Sequence, residues 1–243
     1  MNLKRIAVVT LCTLLCAGAS AKGKGADNTL TPKEQKQGWK LLWDGKSKNG
    51  WKSIKGGPVP ATGWTVENGT LTIADNNNKT SVGDIVTDRK YKNFELSVDF
   101  LYTDGANSGI KYFITEDKSG KISNVACEYQ VLDNLLHPDA KLGHDGNRQL
   151  GALYDIFPAE IKAPAKAGEW NTARIVVNGN RVTHYLNGKK ILEYERGSQQ
   201  WKEGVARSKF SKRDGFGMAE EGYILLQDHG KKVSFKNIKI KEL

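Results

Sequence analysis

Phe94-Glu95-Leu96-Ser97-Val98-Asp99-Phe100-Leu101 is the stretch that decides the fold. Phe94, Leu96, Val98 and Phe100 alternate with Glu95, Ser97 and Asp99. Neighbours in a strand point to opposite faces, so this segment is a strand with one core face and one wet face. Runs of the same kind lie on both sides of it, at 64–73 (WTVENGTLTI), 108–114 (SGIKYFI), 125–132 (VACEYQVL), 172–177 (TARIVV), 181–193 (RVTHYLNGKKILE), 222–227 (GYILLQ) and 233–240 (VSFKNIKI). Asn68-Gly69, Asp104-Gly105 and Asn187-Gly188 supply hairpin turns. Many short strands, tight turns and almost no helical period predict an all-β chain, folded as a two-sheet antiparallel β-sandwich. Neither an internal repeat nor a second domain is visible, and 35–243 reads as one sandwich domain.

Towards the N-terminus the pattern changes. Thr31-Pro32-Lys33-Glu34 combines an N-cap, a proline at the first helical position and a capping-box glutamate, with Gly38 placed to stop the turn. One short helix is expected there. Before it, 22–30 (KGKGADNTL) is small and polar and reads as a disordered leader running into the helix start over 22–34. Residues 1–21 have the three parts of a secretory signal peptide: Lys4 and Arg5, an apolar run from Ile6 to Ala17, and the small-x-small site Ala19-Ser20-Ala21. The run is too short to span about 30 Å of hydrocarbon, so no membrane span is expected. An exported protein of the periplasm or extracellular space follows. A lipoprotein ranks second, because Leu11 precedes Cys12 and Leu15 precedes Cys16 where a small residue is needed.

Cleavage after Ala21 removes Cys12 and Cys16 and leaves Cys127 alone, so no intramolecular disulfide is available in an oxidising compartment. The fold must rest on its core. The formal charge of +10 falls to +8 once Lys4 and Arg5 are lost, and the remaining lysines are scattered between apolar positions. That is a solvated surface and not a nucleic-acid footprint.

One segment breaks the strand rhythm. Asp133 to Leu150 holds His137-Pro138-Asp139 and His144-Asp145-Gly146-Asn147-Arg148 and no strand; its His, Arg and Asp content favours a functional loop over a mobile one. Strand parity then selects the polar residues that meet. In 125–132, Val125, Cys127, Tyr129 and Val131 share one face, which makes Cys127 a buried thiol, and Glu128 and Gln130 share the other. In 108–114, Ile110, Tyr112 and Ile114 are assigned to the core, and Asn107, Lys111 and Phe113 to the opposite face. If the two strands share a sheet, Glu128, Gln130, Asn107 and Lys111 converge as a sugar site, a few placed polar groups among apolar walls. Gln227-Asp228-His229-Gly230 closes an apolar strand at a point from which Asp and His can reach a cleft. His184 shares a face with Val182 and Leu186, the position of a core histidine.

These segments together resemble the 3-keto-disaccharide hydrolase family, once known only as a domain of unknown function. The stretches that carry the likeness are Leu42-Trp43-Asp44-Gly45 with Gly50-Trp51, Asn107-Ser108-Gly109-Ile110, Glu128 to Asn134 (EYQVLDN), His137-Pro138-Asp139-Ala140, Asn147-Arg148, Gly151-Ala152-Leu153-Tyr154-Asp155, Gly168-Glu169-Trp170-Asn171, His184 to Gly188 (HYLNG) and Leu226 to Gly230 (LQDHG). The resemblance implies a concanavalin A-like jelly roll and action on a small carbohydrate already oxidised to a ketone at sugar carbon 3. A 3-keto group acidifies the proton on carbon 2. A base can then remove it, the oxygen on carbon 1 can leave by elimination, and water can add to complete a net hydrolysis. Such chemistry needs a base, a proton donor and an enolate stabiliser, and no nucleophile.

On this reading Glu128 is the base, His229 or His137 the proton donor, and Lys111 or Arg148 polarises the ketone. Asn107, Lys111, Gln130, Arg148, Asp155, His184, Gln227 and Asp228 are assigned to the substrate. No cofactor is expected. The fold leaves room for a structural calcium, but no run of closely spaced carboxylates calls for one. A conventional retaining glucanase would carry Glu-x-Asp-x-x-Glu on one strand; here Gln130 stands two residues after Glu128, and an inverting pair would have to come from two strands, for instance Glu128 with Asp228. A lectin-like module without turnover is the other alternative, with Trp39, Trp43, Trp51, Trp64, Trp170 and Trp201 as sugar platforms, although tryptophan in a sandwich is more often core. The sequence leaves the oligomeric state open.

Overall fold

A computed structural model describes residues 26–76, 81–162 and 165–243. The signal sequence read over 1–21, with Cys12 and Cys16, lies outside the described residues. In chain order the elements are α1 (Pro32–Lys36), β1 (Lys40–Leu41), β2 (Trp51–Ser53), β3 (Trp64–Glu67), β4 (Thr70–Ile73), β5 (Ile85–Thr87), β6 (Phe94–Tyr102), β7 (Asn107–Ile114), β8 (Cys127–Leu132), β9 (Asn171–Asn178), β10 (Arg181–Leu186), β11 (Lys189–Glu195), α2 (Gln199–Arg207), β12 (Tyr223–Leu226) and β13 (Val233–Glu242). They form the expected sandwich of two antiparallel sheets. The larger runs β11-β10-β9-β6-β13-β4-β3, with β1 also on β13, and the smaller runs β2-β5-β12-β7-β8.

The founding stretch lies at the centre of the larger sheet. Phe94, Leu96, Val98 and Phe100 are all at or below 1 % exposure and face the smaller sheet across one continuous core. From the smaller sheet that core receives Ile110, Tyr112, Cys127, Tyr129, Val131, Ile224 and Leu226. Burial of this many large apolar side chains, at about 1.5–3 kcal/mol each, is what replaces a disulfide. Trp43, Trp51, Trp64 and Trp201 are core residues, and Trp170 is exposed.

Three features depart from the sequence reading. The parity assigned to β7 holds through Tyr112 and fails at Phe113, whose φ is +63°. The backbone bulges there, with the β7–β12 register shifting between Tyr223 and Leu225. Phe113 therefore turns into the main core, and Ile114 goes to a small cluster with Val86, Ala126, Tyr223 and Leu225 on the other face. A bulge adds one residue to a strand, and every parity assignment beyond it inverts.

The leader is fixed from Asp27 onward. Asn28 and Asn237 exchange reciprocal bonds, Asn28 N to Asn237 Oδ1 (2.6 Å) and Asn237 N to Asn28 Oδ1 (2.8 Å), while Asp27 pairs with Lys236. Residues 22–25 of the leader lie outside the described residues; over 27–30 low hydrophobicity did not leave the chain free, because the polar side chains of Asp27 and Asn28 complete the bulge in β13, where Asn237 has φ +51°. The short helix behind it forms as expected, with the Thr31–Glu34 capping box in place.

A second helix, α2, stands where the sequence reading places no helix. Ser198 caps it, Trp201 is buried, and Gly204 lets it sit against Ile156 and Phe157, where a Cβ would crowd both. Its apolar stripe is the single turn Trp201, Gly204 and Val205, too short in a nine-residue helix to stand out as a helical period among the strands.

Candidate active site

The outer face of the smaller sheet carries a cavity of about 980 Å³. Its floor is built by β7 and β8, where Lys111 lies directly opposite Glu128 and Gly109 opposite Gln130. Gly109 is required there. A Cβ at that position would fall onto the Glu128 side chain, so the missing side chain is the space that the carboxylate occupies.

Glu128, 6 % exposed, is the centre of a bonded group of four. Lys111 Nζ lies 3.4 Å from its carboxylate. The neighbours assign the Gln227 amide its orientation: with the nitrogen turned to the carboxylate it donates to Glu128 Oε1 (3.3 Å), and the oxygen then accepts from Lys111 Nζ (2.8 Å) and from His229 Nε2 (3.3 Å). Lys111 Nζ also donates to the Asn124 carbonyl (3.0 Å). An ammonium has three N–H bonds, and those of Lys111 are taken up by Glu128, Gln227 and Asn124. Burial lifts the Glu128 carboxyl above the ordinary carboxylate range; Lys111 and then Lys209 oppose the rise and Asp84 adds to it.

Both candidate proton donors line the same cavity. His229 is held below the ordinary histidine value, first by burial and then by the Lys111 charge. His137 caps a single turn of 3-10 helix over Pro138–Lys141, and its Nδ1 accepts from the Asp139 N–H (3.2 Å). In the neutral ring the proton then sits on Nε2. Burial lowers its pKa as well.

The remaining sequence assignments divide. Asn107, Gln130, Gln227 and Asp228 line the cavity with Glu128 and Lys111. The Asp228 carboxylate is spent on scaffold: it accepts from Val82 N (2.6 Å), Gly83 N (3.1 Å), Ser81 Oγ (3.2 Å) and Gly230 N (2.8 Å). Asp228 thus fixes the loop on one side and His229 on the other. Arg148 and Asp155 stand behind the wall. Arg148 bridges Asp139 (2.9 Å) and Asp155 (2.5 Å), and Asp139 in turn accepts from the Tyr154 hydroxyl (2.8 Å).

His184 is a correction. It is fully buried between the sheets, with Nε2 on the Tyr112 hydroxyl (2.7 Å) and Nδ1 on the Gly151 carbonyl (2.9 Å), and it does not line the cavity. The shared face with Val182 and Leu186 already pointed to the core.

Asp84 and Lys209 line the cavity and were missed. Asp84 is buried, accepts from the Asp228 N–H (2.9 Å), and has its pKa raised, chiefly by burial. Its signal was an aspartate heading the apolar run Ile85-Val86. Lys209 follows the unforeseen α2 and had no signal. Its ammonium lies 4.2 Å from the Tyr154 ring centroid and, among the described residues, has no hydrogen-bonded or ion-paired partner. No tryptophan lines the cavity, and among the described residues no three His, Cys, Asp or Glu side chains gather to hold a metal ion.

Residues 38–241 match the 3-keto-alpha-glucoside-1,2-lyase-like domain. A 3-keto-disaccharide hydrolase of Bacteroides thetaiotaomicron is 38 % identical over 248 residues, covering 92 % of this chain and 84 % of that one. A Parabacteroides distasonis crystal structure, provisionally described as a glycosyl hydrolase, superposes with a TM-score of 0.79 at 33 % identity over 90 % of this chain and all of that one. A second from the same organism gives a TM-score of 0.57 at 29 % identity over 80 % of this chain and all of that one.

Proposed function

Because this chain belongs to the family of 3-keto-alpha-glucoside-1,2-lyase-like domains, we propose that it is a glycoside-cleaving enzyme acting on 3-keto-glycosides by elimination followed by hydration. The observation that carries the reading is the bonded group of Glu128, Lys111, Gln227 and His229 in one cavity. A buried carboxylate with a raised pKa suits a base, and a histidine linked to it through one amide suits a proton donor.

In the proposed sequence Glu128 takes the proton from carbon 2, and the electron pair of the broken C–H bond moves into a C2–C3 enolate with its charge on the carbon 3 oxygen. The enolate collapses to the ketone, C1=C2 forms, and the C1–O bond breaks; the departing oxygen takes a proton from His229 or His137. Water then adds across C1=C2, hydroxyl to carbon 1 and hydrogen to carbon 2, for net hydrolysis. Lys209 is assigned to the enolate oxygen. Lys111 and Arg148 were the sequence candidates for that task, but the first is committed to Glu128, Gln227 and Asn124 and the second to Asp139 and Asp155.

The test is aglycone release from a 3-keto-glucoside and from its unoxidised parent, with Glu128→Gln assayed also for exchange of the carbon 2 proton in deuterated water. Cleavage of the ketone alone, with cleavage and exchange both lost in the variant, is the expected result. Loss of cleavage with exchange retained would make Glu128 the leaving-group acid. A second reading, conventional inverting hydrolysis, is favoured by one observation: Asp84 and Glu128 are two buried carboxylates on the same cavity. Comparable rates on oxidised and parent glucoside would select it.

A further inference from the structure

Two cavity-lining residues carry a buried amide oxygen that has no donor among the described residues. Asn107 (7 % exposed) and Gln130 (1 %) both line the cavity, yet Asn107 Oδ1 and Gln130 Oε1 are buried without a hydrogen-bond partner among the described residues. Buried acceptors are nearly always paired, and an unpaired one in a native site calls for a reason. Their placement is ordered. Gly109 opposes Gln130 and Asn107 opposes Leu132, so the two amides are diagonal neighbours on one sheet face. The Gln130 amide nitrogen points to the Arg148 carbonyl (3.4 Å), which fixes the orientation of its oxygen. Gln130 lies two residues beyond Glu128 on β8, about 7 Å along the strand, roughly the width of a sugar ring.

The cavity therefore has a hydrogen-bond polarity. The N–H groups of Lys111, Gln227 and His229 are spent within the bonded group, so the uncommitted donors are Lys209, whose charge acts on the Glu128 carboxyl, and His137 on the same cavity; at Asn107 and Gln130 stand acceptors. A ring oxidised at one carbon has the matching polarity, an acceptor-only carbonyl on one side and hydroxyl donors on the other.

We propose that Asn107 and Gln130 form an acceptor socket for the hydroxyl donors of the oxidised ring remote from carbon 2, those on carbons 4 and 6, and that this socket determines which sugar the enzyme accepts. The assignment rests on the reading that the cavity holds a 3-keto-glycoside. A ring lacking the hydroxyl leaves a buried acceptor unpaired in the bound state.

The experiment compares wild type, Asn107→Leu and Gln130→Met on a 3-keto-glucoside and its 4-deoxy and 6-deoxy counterparts, with thermal midpoints measured alongside. Wild type should prefer the parent sugar over at least one deoxy sugar by about 10- to 100-fold in kcat/KM. In the variants that ratio should fall to about threefold or less, through loss of activity on the parent sugar. The thermal midpoint of Gln130→Met should stay close to that of wild type, because the change removes an unpaired buried acceptor together with the long bond to the Arg148 carbonyl (3.4 Å). Equal wild-type rates on all three sugars would overturn the socket. So would variants that melt lower and lose activity equally on every sugar, the result expected if the amides serve only a structural water. If no 3-keto sugar is cleaved, the proposed reaction falls and the socket is judged by calorimetric titration with glucoside and its deoxy analogues. A preference for the hydroxylated sugar that Gln130→Met abolishes would sustain it; equal affinities, or no binding of any of them, would overturn it.

Discussion

Gly109 and Glu128 show how much of the site depends on single atoms. A methyl group at 109 would overlap the Glu128 carboxylate, and a displacement of about 1 Å in a catalytic group can cost on the order of 100-fold. Gly109→Ala should lower kcat by about that factor while costing only about 1–3 kcal/mol of stability, the usual range for overpacking. Steady-state kinetics and urea unfolding of the same preparation check the pair. A second expectation concerns pH. Glu128 must be ionised to act as a base and its pKa lies above the ordinary value, so the acid limb of kcat/KM shifts upward. His229 must be protonated to act as an acid and its pKa lies below the ordinary value, so the basic limb shifts downward. The profile should be a narrow bell with its maximum below pH of about 6.5, the ordinary histidine value; a plateau extending past neutrality would remove His229 from the acid role. Glu128, Gln130, Asn107 and Lys111 were legible because parity needs only the period of the strand. Lys209 was not, since its place depends on how α2 and the following turn fold back over the sheet.

Among the elements, the strand β10 does more than complete a sheet. Its His184 joins the larger sheet to Tyr112 of β7 in the smaller one and to the Gly151 carbonyl at the end of the long loop, and Tyr112 continues to Tyr194 of β11 (2.5 Å). Burial lowers the His184 pKa to about 4. The unfolded chain, with an ordinary histidine, takes up the proton first as pH falls. The stabilisation from His184 is therefore complete above about pH 6.5 and is lost on acidification towards pH 4, by up to roughly 3 kcal/mol. Urea unfolding at pH 7 and at pH 4.5 should show wild type losing more stability than His184→Gln; equal losses would mean that another group carries the acid sensitivity. The strands themselves were legible wherever one face is apolar. The bulge at Phe113 was not, because a single extra residue in β7 is a matter of pairing with β12 and leaves no mark on composition. The helix α2 escaped for a related reason: its contact with Ile156 and Phe157 is made through a glycine.

For the whole molecule, the two-sheet architecture was written in the alternation, and the loop that covers the cavity was marked as an interruption of it. The distribution of charge said little, since most ion pairs sit on the surface and contribute weakly. Two expectations belong at this scale. Cleavage after Ala21 predicts a mature chain that begins at Lys22 when its intact mass is measured; a mass that retains residues 1–21 would contradict the export reading, and added acyl chains would select the lipoprotein alternative. Its one thiol, Cys127, is fully buried, and burial pushes its pKa up to about 12. A thiol reagent at pH 8 should label Cys127 only after unfolding.

The clasp between Asn28 and Asn237 bears on how the protein can be presented on a surface. It fastens the start of the described region to β13 of the larger sheet, whereas the cavity opens on the outer side of the smaller one. Anything attached upstream of Ala26, such as a bead, an electrode coating or a display scaffold, therefore leaves from the opposite layer of the sandwich. Immobilised through its N-terminus, the molecule would present its cavity mouth to the bulk solution, and the rate per molecule should match that of the free protein.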